Sequence, residues 1–134
     1  MAHTPTFTAL SFGYLHTGGR PPAEATVVID VRVLLRDPHV DPALRALTGQ
    51  HPAVQRKVLS TPGALELLER LTVLAASLMD LAAPTGTDVV LALGCAGGRH
   101  RSYVLAARLA RYMARAGYPA RAEHRHAHLP VVAR

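Results

Sequence analysis

Tryptophan is missing from this 134-residue chain, and aromatic residues make up only 4% of it. A core without large rings has to be filled by Leu, Val and Ala. The 49% hydrophobic content is ample for that and argues against disorder. Cysteine is almost absent. Cys95 stands alone, which excludes an internal disulfide framework and a zinc site made of several thiolates. No basic segment followed by an apolar run opens the chain, so no signal peptide is expected. The longest apolar stretch, Leu71 to Ala83, is broken by Ser77 and Asp80 and is too short to span a bilayer. A cytoplasmic, reducing setting with no membrane partner is the default expectation.

Acidic residues are scarce in one region only. Residues 95–134 carry eight Arg against the single acid Glu123, whereas residues 1–94 are close to balance; the whole chain is +6. This asymmetry points to an anionic partner, either a phosphorylated metabolite or a nucleic acid.

What is present has the pattern of an α/β domain. Phe7–Phe12 has strand character and ends at Gly13. Thr26–Arg32 is a β-branched, nearly continuous apolar run, the mark of a buried central strand. Asp30 and Arg32, two apart at its carboxyl end, would share a face. Short helices are expected at Leu44–Leu47 and Ala53–Leu59. A long helix follows, capped by Ser60 or Thr61, with Leu65, Leu68, Leu71, Leu74, Leu78 and Leu81 at helical spacing and Pro84 and Gly86 as its stop. Val89–Leu93 is a second buried strand, and a helix from about Arg101 to Ala116 ends at Gly117. Ala120–His126 is a last, weaker strand. Together these predict a single domain over residues 1–134, ordered from about 6 to 126. Its fold would be a three-layer α/β sandwich, a small mixed or parallel sheet covered by helices on both faces.

The chemistry concentrates where the second buried strand meets the next helix: Gly94, Cys95, Ala96, Gly97, Gly98, Arg99, His100, Arg101, Ser102. Backbone N–H groups at a helix start have no intrahelical partner and carry partial positive charge. Gly97 and Gly98 let the backbone curl around an anion. Arg101 adds a guanidinium fork, Arg99 and His100 add donors, and Ser102 adds a hydroxyl. The expected ligand is therefore a phosphorylated small molecule. Within the loop, Cys95, Gly98, Arg101 and Ser102 also match the register of the signature loop of cysteine-dependent phosphatases. A helix start and an Arg would favour the thiolate nucleophile such chemistry needs. Two features oppose catalysis. Gly94 stands where a His usually precedes the Cys, and no Asp follows Cys95 to protonate a leaving group. Asp30 and Asp37 are the upstream candidates for that role.

Several segments, in order, resemble the C-terminal domain of the RNase adapter RapZ and its YvcJ-type relatives. They are Ser11-Phe12-Gly13, Ile29-Asp30-Val31-Arg32, Asp37-Pro38-His39, Leu44-Arg45-Ala46-Leu47-Thr48-Gly49, the Gly94–Ser102 loop and Glu123-His124-Arg125. The P-loop nucleotide-binding domain that precedes this domain in the family has no counterpart here. The sequence lacks G-x-x-x-x-G-K-[ST], so Walker-type hydrolysis is not expected. The resemblance implies a non-catalytic regulatory domain, without cofactor, that senses an amino-sugar phosphate such as glucosamine 6-phosphate. It also implies partners in RNA and a ribonuclease. Asp30, Arg32, Cys95, Ala96, Gly97, Gly98, Arg99, His100, Arg101 and Ser102 carry over as ligand-site positions. Departures from the family pattern include Ala96 for a Thr and His126 for an Asp. A homo-oligomer is compatible with the pattern, which does not set the oligomeric state.

Two further groups stand out. Arg108, Arg111 and Arg115 form a basic stripe at helical spacing, suited to RNA phosphates. His124, His126 and His128 alternate, so a strand would align them, either as a solvated edge or as an anion-binding one; no metal site is assigned to them.

Overall fold

The computed structural model describes residues 3–36 and 41–132. Four strands, β1 (Phe7–Gly13), β2 (Val27–Asp30), β3 (Val89–Cys95) and β4 (Ala120–His124), form one sheet in the order β2-β3-β1-β4. Every neighbouring pair is parallel. The carboxyl ends of all four strands therefore lie along one edge, with Gly13 opposite Cys95, Asp30 opposite Gly94 and Ser11 opposite His124.

Strand alternation divides the apolar residues between two faces. On one face Phe7, Ala9, Leu91 and Leu93 meet Leu68, Leu71, Ala75 and Met79 of α2 (Ala64–Ala82) and Leu105, Leu109 and Met113 of α3 (Arg101–Arg115). Each large side chain buried there contributes roughly 1.5–3 kcal/mol. Helix α1 (Pro52–Leu59) packs on α3 through Val54, Val58 and Val104. On the opposite face Leu10, Phe12 and Ala92 lie beneath Tyr14 and Ala25. This layer is built from a 3-10 turn, Tyr14–His16, and the loop that follows it, without an α-helix.

Several local details differ from the sequence pattern. The β-branched run at Thr26–Arg32 becomes an outer strand, with Val28 37% exposed. Its carboxyl end turns into a 3-10 helix, Val31–Val33, so strand alternation does not relate Asp30 to Arg32. Leu44–Leu47 is a turn in which the Leu44 N–H donates to the Asp41 carbonyl. Ser60 and Thr61 spend their hydroxyls on the Lys57 carbonyl at the end of α1, and Gly63, at φ +87°, caps α2. Leu65 and Leu81 face solvent, because the buried seam of α2 runs through Ala64, Leu68, Leu71, Ala75 and Met79. Among the described residues no helix is long and apolar enough to cross a membrane.

Candidate functional site

Cys95 is the last residue of β3 and Arg101 the first of α3, so the loop between them joins a strand end to a helix start. Gly98, at φ +75°, turns its N–H inward to donate to Cys95 Sγ at 3.3 Å. Ser102 Oγ lies 3.0 Å from the same sulfur. The glycines are demanded by proximity. A Cβ on Gly13 would lie 2.4 Å from the Gly97 carbonyl carbon, and one on Gly98 would lie 2.8 Å from the Gly13 nitrogen. A Cβ on Gly94 would come within 2.4 Å of the Tyr14 ring and 2.5 Å of the Phe12 ring. A His before Cys95 has no room here.

The basic side chains of the loop divide by role. Arg101 is 4% exposed and donates to the Leu35 carbonyl at 3.0 Å. Arg99 points away from the loop and donates to the carbonyls of Ala46, Ala127 and Leu129 at 2.7–3.0 Å. The His100 ring meets the Leu47 carbonyl at 2.7 Å, and the Arg99 carbonyl accepts from Gly49 N–H. Arg99 and His100 thus fasten the walls around the loop, whereas the backbone from Ala96 to Gly98 lines it.

Asp30 and Arg32 stand at the same end of the sheet. Arg32 donates to both carboxylate oxygens of Asp30, at 2.9 and 2.7 Å, and its backbone N–H adds a third bond at 3.0 Å. The Arg32 guanidinium lies 3.9 Å from the centroid of the Tyr14 ring. Hydrogen bonding from Arg32 holds the Asp30 carboxyl below its ordinary range, against the opposing effect of burial. Burial, then the Asp30 charge, pushes the Tyr14 hydroxyl up. Asp37, the other candidate acid, lies outside the described residues.

The alternating histidines do not form one row, because β4 ends at His124. His124 lies 2.7 Å from Ser11 Oγ and stacks on Tyr103 at 3.6 Å. His126 is buried beyond the strand and accepts from Gly13 N–H at 2.9 Å through Nδ1. Its ring lies 5.0 Å from that of His16. Burial, with repulsion from His16, Arg125 and His128, keeps His126 below the ordinary histidine range. Tyr14 and His16 are site-end residues that local spacing did not single out; His126 was signalled only as one of the alternating histidines, and Gly13 through Ser11-Phe12-Gly13.

The model of the RapZ C-terminal domain family matches residues 5–128, nearly the whole chain and all of this site. The chain belongs to the RapZ C-terminal domain family. Similar proteins include nucleotide-binding proteins of Rubrobacter xylanophilus (44% identical over 107 residues, 79% of this chain and 34% of the relative) and Rhodospirillum rubrum (41% over 105 residues, 78% and 33%). One from Mycobacterium tuberculosis is 42% identical over 104 residues, 77% of this chain and 33% of its own. The chain thus spans about one third of the length of the curated relatives it matches.

This RapZ-type domain carries its second basic region on α3. Arg111 and Arg115 are exposed and Arg108 is half-buried. Arg108 also lines an open groove of about 800 Å³ between α1 and α3, together with Leu44, Ala53, Arg56, Lys57 and Leu59. The groove is separate from the Cys95 loop, whose Cys95, Arg101 and Ser102 are all at most 4% exposed.

Proposed function

We propose that this chain is a regulatory domain that binds a phosphorylated amino sugar of the glucosamine 6-phosphate type on the Ala96–Ser102 turn, and that it contacts RNA through α3 as an adapter for a ribonuclease. The observation that carries the ligand site is the packing of Gly13, Gly97 and Gly98. No side chain fits there, so the turn is shaped by backbone alone and leads directly into the N-terminal backbone groups of α3, whose partial positive charge favours a phosphate. Buried Arg101 supplies fixed positive charge behind them. Asp30, about one-third exposed at the same end of the sheet, is suited to accept from the amine or a hydroxyl of the sugar. Family membership supports this reading. The nucleotide binding named in the relatives belongs to proteins three times longer and is not transferred.

Binding is favoured over turnover by the state of Asp30. A carboxyl held low by Arg32 stays ionised at neutral pH and has no proton to give a leaving group. Cys95 then serves as a wall of the site, with its sulfur engaged by Gly98 and Ser102.

Calorimetric titration tests the proposal. Glucosamine 6-phosphate is expected to bind more tightly than glucose 6-phosphate, and Asp30→Asn to erase most of that difference. Cys95→Ser is expected to bind within about threefold of wild type, since only one weak hydrogen-bonding partner changes. Failure of all sugar phosphates to bind would reject the site. Release of phosphate from a chromogenic ester, lost in Cys95→Ser, would establish a cysteine phosphatase instead.

A further inference from the structure

The contact between Gly13 N–H and His126 Nδ1 joins parts of the chain 113 positions apart in a buried setting. An imidazole nitrogen accepts a hydrogen bond only when it carries no proton. The same His126 has its Cβ 3.2 Å from where a side chain on Gly98 would begin, and Gly13 lies against the backbone of Gly97. The ring therefore ties the segment after β4 to the end of β1, and through Gly13 to the Gly97–Gly98 backbone packed against it. We infer that His126 is a positioning residue that keeps the Gly97–Gly98 turn in its anion-accepting shape only while its ring is neutral, so that mild acid switches the site off. This rests on the anion site proposed above.

The groups facing the ring come from three elements. The 3-10 turn supplies His16, whose buried Nε2 has no hydrogen-bond partner. The segment after β4 supplies Arg125 and His128. The loop supplies Arg99, bound to the carbonyls of Ala127 and Leu129 beside it. Arg125 is partly offset by Glu24 and Glu123, each at 2.7 Å. The groups nearest the ring thus oppose a positive charge on it. An ordinary histidine takes its proton near pH 6.5. Burial first, and then these neighbours, hold His126 below that value, so it is neutral at neutral pH. When it does protonate at Nδ1, two N–H groups face each other, Gly13 loses its acceptor and a cation is enclosed among cations. Each of these costs is relieved if the ring swings out, and Gly13, against which the Gly97–Gly98 backbone packs, is then left without its anchor.

The test uses the full chain labelled with ¹⁵N, with sulfate as the probe because it stays dianionic across the range. As pH is lowered from about 7.5, the amide signals of Gly13 and Gly98 are expected to move together with the His126 ring, with a midpoint below the ordinary histidine value of about 6.5, and sulfate affinity to fall at least about threefold across that transition. In His126→Asn the carboxamide oxygen replaces Nδ1 and does not titrate, so both amides and the affinity are expected to stay flat. Should that variant not fold, His16→Gln removes one repelling neighbour, and the amide midpoint is expected to move to higher pH. Amides of Gly13 and Gly98 that do not titrate in the wild type, or that still titrate in His126→Asn, would overturn the inference. So would sulfate affinity that rises in acid, because surface charge would then control the site. Sulfate that binds at no pH would reject the anion site itself. That failure is distinguishable, since the amide titration needs no ligand.

Discussion

Of the eight arginines in the last third of this chain, five fall into two populations with opposite physics. Arg99 and Arg101, in the loop, are turned inward to backbone carbonyls of distant segments. Arg108, Arg111 and Arg115, on α3, make no side-chain hydrogen bond or ion pair among the described residues, and the latter two are exposed. Desolvating a guanidinium is costly unless acceptors replace its water. The loop arginines have been given backbone carbonyls instead: Arg99 stitches the 46–49 turn and the segment after β4 to the loop, and Arg101 reaches Leu35. The α3 arginines keep their water and remain free to exchange it for another anion. Net charge alone cannot separate these cases, because each arginine of either population counts the same toward the +6.

The sharpest way to break the contrast is Arg99→Ala. Three charge-assisted hydrogen bonds disappear and three carbonyls are left without their donor, at an expected cost of about 2–4 kcal/mol in urea denaturation. Arg99→Lys is expected to recover less than half of that, because an ammonium lacks the planar fork that reaches both sides. A cost below about 0.5 kcal/mol for Arg99→Ala would place it with the surface population.

Acid is a gentler probe of the same division. His124 is half-buried between Ser11 and Tyr103, and burial holds its ring below the ordinary histidine range. The unfolded chain therefore takes up a proton near pH 6.5 before the folded chain does. Stability contributed by this group is complete above that pH and is lost as pH falls below it toward the folded value. The urea midpoint is expected to drop between about pH 7 and 5.5, and His124→Gln to remove part of the drop. Equal slopes in both proteins would show that His124 is as solvated when folded as when unfolded.

The smallest expected effect on folding comes from replacing Arg108, Arg111 and Arg115 together with Ala, within about 0.5 kcal/mol per site. RNA affinity measured by anisotropy is nevertheless expected to fall for unrelated sequences alike, since phosphate contacts carry no base information. The slope of log K against log salt should shrink by roughly 0.7 for each phosphate of a single strand that an arginine no longer neutralises. Unchanged affinity would move any RNA binding off α3.

The loop was legible in the sequence because its chemistry is local: glycines, Arg101, Ser102 and Cys95 fall within nine residues, between an apolar run and an amphipathic helix. The companion residues were not, because strand order decides them. His126 reaches Gly13 only because β4 pairs with β1, and no spacing along the chain encodes that pairing. Likewise, β-branched residues at Thr26–Ile29 signal a strand but not its place in the sheet, and β2 lies at an edge. The cap of α2 shifted to Gly63 because the Ser60 and Thr61 hydroxyls were claimed by the preceding helix, a competition invisible to propensity. Asp30 and Arg32 do meet, but through a carboxylate–guanidinium fork across a 3-10 turn and not through strand alternation.

The position of β1 also governs how the chain is made. Both of its partners, β3 and β4, lie far downstream, the nearer one beginning only at Val89. During synthesis, at about 5–20 residues per second, the segment Phe7–Gly13 therefore waits several seconds with its strand edges unpaired and Phe7, Leu10 and Phe12 exposed. Such a segment is adhesive to other nascent chains and attractive to holdase chaperones. A ribosome stalled after α3 would release a chain whose β1 can pair with β3 but keeps one open edge, a template for aggregation that the last strand, Ala120–His124, ordinarily closes.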